Sequence, residues 1–201
     1  MLGLEHLEGV RWDDVPSPAW TALDEHDIRV GALPAEDDVA VLAARSAAPA
    51  DWRLIAETLD ALAAQADVVV VDCGPRPSPA LLSSLDVVVV VTRLTAKGLR
   101  DAEMVEERCE LARTHPVLAS RGAARDRSGV DAARWLAMPF LAHWADDPRV
   151  SRYDAQGWLP GTRTTSVDSV ADQALRMLQT RWLSALVDRM APAPRPRRRS
   201  R

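Results

Sequence analysis

The chain reads as a single α/β domain built on a mostly parallel, doubly wound sheet with helices on both faces. Three observations predict this. Two valine runs, "DVVVVD" at 67–72 and "DVVVVVT" at 86–92, do not alternate with polar residues, the pattern of strands covered on both faces. Helix-length segments separate the apolar runs, which is the spacing that parallel crossovers require. The 201 residues are 47% hydrophobic but only 4% aromatic, so valine, leucine and alanine must build a core of single-domain size.

The elements follow in order. Pro16 and Pro18 punctuate an irregular start that holds a short helix at 17–25. "IRVGALP" and "VAVLAA" read as short strands around the acidic turn "AEDD". Trp52, Ile55, Leu59 and Leu62 then recur at helical spacing, with Asp51 placed to cap the first turn. This helix feeds the strand at 67–72, the turn "CGPRPSP", a helical piece "ALLSSL" and the strand at 86–92. A long charged helix over 95–115 stops at Pro116. Beyond it come a strand "PVLASRG", a helix "SGVDAARWLA", a strand "PFLAHW", a short helix before Gly157 and a long amphipathic helix over 166–190. The domain spans 1–190, and the Arg/Pro-rich tail 191–201 is expected to be disordered.

Charge and composition narrow the function. The formal net charge of −4 argues against binding nucleic acid across the whole surface. Five tail arginines, Arg195, Arg197, Arg198, Arg199 and Arg201, offset a body with 20 basic and 29 acidic groups. They could dock on anionic lipid or DNA phosphates, or simply be solvated. Cys73 and Cys109 show no metal-ligand spacing, and His6, His26, His115 and His143 lie scattered, so a reducing, cytoplasmic setting without disulfides or a metal centre is expected. The N-terminus does not read as a signal peptide. No apolar run reaches the roughly 20 residues of a membrane span. Lys97 stands alone among 24 arginines, as a GC-rich coding sequence would give.

In open parallel sheets, ligands gather outside the carboxyl ends of the strands. Asp72, Thr92, Arg93 and Arg121 fall there. Asp72 could orient magnesium through water or cap the next turn. Either arginine could meet a phosphate, or form a salt bridge with Asp72, Asp86 or a helix acid. Cys73, beside Asp72, could be reactive or a buried structural thiol. Trp135, Trp144, Trp158 and Trp182 read mainly as packing residues, with partner contacts open to one or two of them.

The succession "ADVVVVDCGP" then "LDVVVVVTRLTAKGLRDAEMV" resembles the MinD/ParA family of P-loop ATPases. In that family a strand ending in Asp precedes one ending in Val-Val-Thr, followed by a helix opened by Leu-x-Asp-Ala, here Leu99, Asp101 and Ala102. "LGLEHLEGVRWDDV", "ALPAEDDVAVLAAR", "VLASRG", "LAMPFLAHWADDPRV" and "YDAQGWLPG" are similar to the septum-site-determining and CpaE/TadZ-like branch. The ordered set covers roughly residues 1–188. The resemblance implies a P-loop NTPase-like fold, with Asp72, Thr92 and Arg93 as a partial or vestigial nucleotide and magnesium site. It also implies a role in placing division or pilus-assembly machinery through self-association or protein partners, in the cytoplasm or at the inner face of the membrane.

One departure shapes the expectation. No GxxxxGK[ST] is present and no lysine precedes position 97, so the backbone cradle and fixed cation for phosphates are missing. The first strand, phosphate loop, first helix and second strand of the family have no counterpart here. Either the chain is N-terminally shortened or its lineage lost the site. The chain alone is therefore expected to have a gapped or rearranged sheet and no cofactor of its own. ATP and magnesium would bind only with a phosphate loop supplied upstream or by a partner. The expectation is a non-catalytic positioning protein. The alternatives are a truncated active ATPase, and a plasmid-partition or conjugation accessory protein that binds DNA.

Overall fold

The computed structural model of the protein describes residues 8–15, 29–36, 39–43, 52–123, 127–155 and 166–190. Strands β1 (Ala35–Glu36) and β2 (Val39–Ala40) precede helices α1 (Trp52–Ala63) and α2 (Pro79–Leu82). Then follow β3 (Val88–Arg93), α3 (Ala96–Ala112), β4 (Pro116–Gly122), α4 (Ser128–Trp135), β5 (Phe140–Ala145), α5 (Pro148–Ala155) and α6 (Asp168–Met190).

β3, β4 and β5 form a parallel sheet in that order, with Val88 opposite Pro116 and Arg93 opposite Arg121. The β4–β5 register shifts once, between Leu118 and Ala119, so that Ala119 meets Ala142 and Ser120 meets His143. The lack of alternation in the second valine run has a direct cause. Val88 and Val90 pack on one face with Leu118 of β4 and with Leu82, Ala102, Cys109, Ala133 and Met138, from or next to α2, α3 and α4. Val87 and Val89 pack on the other with Val117, Leu141, Val170, Ala174 and Met177, the last three from α6. A residue on either side of such a strand meets apolar atoms. The class read from the sequence therefore holds at the coarse level: parallel strands with helices around them.

Local chemistry sets the helix ends. Thr95 caps α3 by accepting from Gly98 N at 3.1 Å, and Ser78 caps α2 by accepting from Leu81 N at 3.2 Å, with Pro79 in the first helical position. α3 ends on Arg113 in the left-handed region at φ 57°, where Thr114 N reaches Cys109 O at 2.9 Å. Thr114 Oγ1 donates to Leu82 O at 3.0 Å and Arg108 Nη1 to Pro77 O at 3.0 Å. These bonds fasten α3 to the segment that precedes β3.

The described N-terminal residues form their own small core of Val15, Leu33 and Leu62, with Val10, Val30, Leu54 and Val69 against it. Val10 N bonds Ala32 O at 3.0 Å and Trp12 N bonds Ala43 O at 2.9 Å. Gly9, at φ 148°, lies where a Cβ would stand 2.7 Å from the Pro34 ring, so only glycine fits.

Two expected strands are not found. Ile28 lies outside the described residues, and Val30–Ala32 closes a 3-10 turn instead of a strand. The strand pair there is the two-residue ladder of Glu36 with Val39 and Ala35 with Ala40. Val68–Val71 also stands outside the sheet. A strand exists only through its ladder. β3 spends one edge on β4, and its other edge has no partner among the described strands. Val69 packs into the N-terminal core, while Val70 is 88% exposed and Val91 58% exposed. The expected helix at 17–25 and the tail at 191–201 lie outside the described residues.

Two outcomes follow. Gly129 of α4 sits where a Cβ would collide with Ser120 Oγ and come within 2.8 Å of the Phe140 ring. Gly129→Ala should cost about 1–3 kcal/mol in urea unfolding. Exposed valines at 70 and 91 should give the native protein measurable binding of an apolar fluorescent dye, reduced by Val70→Thr with Val91→Thr.

Candidate functional site

The parallel register brings the carboxyl ends of β3, β4 and β5 together, and the polar residues of the sheet collect there. Thr92 and Arg93 end β3, Ser120 and Arg121 lie near the end of β4, and His143 lies near the end of β5, with Asp146 just beyond it. Asp146 N donates to Gly122 O at 2.8 Å, which holds the β5 exit against β4.

Ser120 Oγ lies 2.9 Å from His143 Nδ1, and His143 Nε2 lies 3.0 Å from Ala123 O. A carbonyl only accepts, so Nε2 carries hydrogen, and in the neutral ring Nδ1 accepts from the serine hydroxyl. The pairing has the connectivity of an activated nucleophile. Ser120 is fully buried, however, and Gly129 and Phe140 close over it. No substrate carbonyl can reach Oγ. The pair is a structural tie between β4, β5 and the turn at Ala123.

The two arginines meet an acid. Arg121 Nε donates to Asp146 Oδ1, and Arg93 Nη2 lies 3.7 Å from the same oxygen. Both arginines thus meet an acid, but it is Asp146, just past β5, and not Asp72, Asp86 or a helix acid as expected. The Arg121 hydrogen bond, aided by the charges of Arg121, Arg93 and His143, holds the Asp146 carboxyl below the usual carboxylate range. Next to it, Asp147 takes Arg149 Nη2 at 2.7 Å, Arg149 Nε at 3.0 Å and Arg149 N at 2.9 Å. Those side-chain bonds first, then the backbone bond, lower the Asp147 pKa to about 2.

The expected nucleotide-site residues are distributed differently. Asp72 Oδ1 accepts from Gly74 N at 2.9 Å, with Gly74 at φ 60°. It therefore caps its own turn. Thr92 is buried and its Oγ1 donates to Arg93 O at 3.1 Å. Lys97 pairs along α3 with Asp101 at 2.6 Å. Among the described residues no group of three or more His, Cys, Asp and Glu side chains could hold a metal ion. With one exposed carboxylate and no phosphate cradle, the groups around Asp72 do not fit a magnesium–phosphate centre as they stand. No chemical step is derived through one.

Burial, then Asp72, raises the Cys73 thiol, and burial, then Glu106 and Cys73, raises that of Cys109. Both stay protonated and poorly nucleophilic at neutral pH. Trp144, partly buried, packs against the core, while Trp135 is 61% exposed on α4, so of the two readings given to the tryptophans packing does not describe it. His6, His26, Trp158 and the five tail arginines lie outside the described residues.

Sequence reasoning missed Ser120, His143 and Asp146. Their signal was present, since each lies at the end of a strand placed correctly from sequence, but only cross-strand register pairs residues 23 and 25 positions apart.

Because its pKa is depressed in the fold, Asp147 contributes stability at pH values above the unfolded value of 3.8. That contribution is lost as pH falls from there through about 2. Carboxyl-carbon NMR should place the Asp147 midpoint near that value, and Arg149→Ala should raise it toward the ordinary range. Among the described residues no helix is long and apolar enough to cross a membrane. Comparison with family models, curated proteins and solved structures finds no match to this chain.

Proposed function

We propose that the protein is a non-catalytic, MinD/ParA-like positioning protein of the septum-site-determining or CpaE/TadZ-like, pilus-assembly branch. It works through self-association or through division or pilus machinery, in the cytoplasm or peripherally at the inner face of the membrane. The ordered motifs from "ADVVVVDCGP" to "YDAQGWLPG" and the parallel arrangement of β3, β4 and β5 support this reading.

The absence of catalysis rests chiefly on how the strand-end groups are used. Asp72 is bonded to Gly74 N, Arg121 to Asp146 and Lys97 to Asp101. Transfer of a phosphoryl group needs preorganised cations and N–H donors around the developing charge. Here Lys97 is paired with Asp101, Arg93 and Arg121 share the one carboxylate Asp146, and no lysine stands before position 97.

A second reading, an active ATPase completed by a phosphate-loop strand supplied upstream or by a partner, is favoured by one observation. β3 has an edge without a partner among the described strands, and Val70 and Val91 are exposed. An in-frame GKGGxGK[ST] upstream of Met1 would select it. The DNA-binding alternative rests on the tail arginines, and unchanged DNA and vesicle binding after deletion of 191–201 would remove it.

Magnesium-ATP titrated calorimetrically into the purified chain should give no saturable binding below the millimolar range. Micromolar affinity would overturn the non-catalytic reading.

A further inference from the structure

Arg93 and Arg121 are direct register partners in the parallel ladder of β3 and β4. Like charges placed side by side across two strands repel. Both side chains end in solvent, 61% and 45% exposed. One carboxylate, Asp146, serves both, so the trio keeps one net positive charge. Asp146 is also 47% exposed, so the carboxylate borders solvent where a ligand would compete with it. α3 begins at Ala96, three residues past Arg93, and the partial positive charge of its first turn adds to the same end of the sheet.

We propose that Arg93 and Arg121 form an oxyanion-binding pair, with Asp146 as a resident carboxylate that the phosphate group of a small phosphorylated ligand displaces. The chemistry favours phosphate over a second carboxylate. A phosphate monoester carries close to two negative charges near neutral pH and three acceptor oxygens. It therefore neutralises both guanidinium groups, where Asp146 neutralises one, and it offers each planar fork a pair of acceptors. The carboxyl ends of parallel strands are where such ligands gather in open α/β sheets. The Arg149–Asp147 pair beside the site is internally neutral and stays in place. This inference does not depend on the family reading, because it uses only the register and the three side chains.

The test is titration of the full chain with inorganic phosphate at constant ionic strength, with chloride as control, followed by the arginine Nε–H signals in NMR. Saturable shifts confined to Arg93 and Arg121 are expected with phosphate and not with chloride. Arg121→Gln and Arg93→Gln should each weaken binding about tenfold, the equivalent of about 1.4 kcal/mol. Asp146→Asn should tighten binding, because it removes the competing carboxylate. A purely structural salt bridge would not give that gain. Should Arg121→Gln fail to fold, the more exposed Arg93→Gln carries the same test. Shifts that do not saturate, affinity unchanged in the arginine variants, or weaker binding by Asp146→Asn would each overturn the proposal. Binding to vesicles containing phosphatidic acid without binding of inorganic phosphate would overturn the assignment to a small ligand.

Discussion

The parallel ladder through β4 is the constraint on which the rest of the structure depends. β4 is hydrogen-bonded on both edges, and every residue from Pro116 to Ser120 is buried. Leu118 faces the layer of α2, α3 and α4, while Val117 and Ala119 face α6. Each large apolar side chain buried this fully contributes about 1.5–3 kcal/mol, and the ladders on both edges engage the strand's backbone donors and acceptors. Because the register is fixed on both sides, the three strand ends are fixed relative to one another. The polar cluster is a consequence of that register.

The second feature of the molecule is its division of apolar surface. The sheet carries two cores of its own, and Val15, Leu33 and Leu62 centre a third that includes Val69. The run Val68–Val71 is therefore drawn to the N-terminal core on one side and left exposed on the other. Val70 and Val91 are exposed, and β3 has an edge without a partner among the described strands; unpaired edges invite further strands. This is the physical content of both functional readings: one treats the edge as inherited and unused, the other as a place still to be filled.

Much of the fold was legible because buried parallel strands leave a strong trace in sequence. Asp86 and the five valines that follow it located β3, Pro116 located the end of α3 and the start of β4, and the helical spacing of Trp52, Ile55, Leu59 and Leu62 located α1. Val68–Val71 misled because its composition is that of a strand, whereas strand formation needs a neighbour that composition cannot supply. The site was only half legible. Thr92, Arg93 and Arg121 were placed by counting along strands, but Ser120 gave no sign of its histidine and Arg121 none of its acid.

The amino-acid sequence by itself determined the α/β class, the order of the elements from β3 to α6 and the turns that end them. Those depend on local propensity, capping and apolar periodicity, all of which act within a few residues along the chain. Only the tertiary structure decided which valine run became a strand, which serine lies buried on a histidine, and which acid stands between two arginines. Those outcomes depend on pairing across the sheet, where neighbours in space are more than twenty residues apart in sequence.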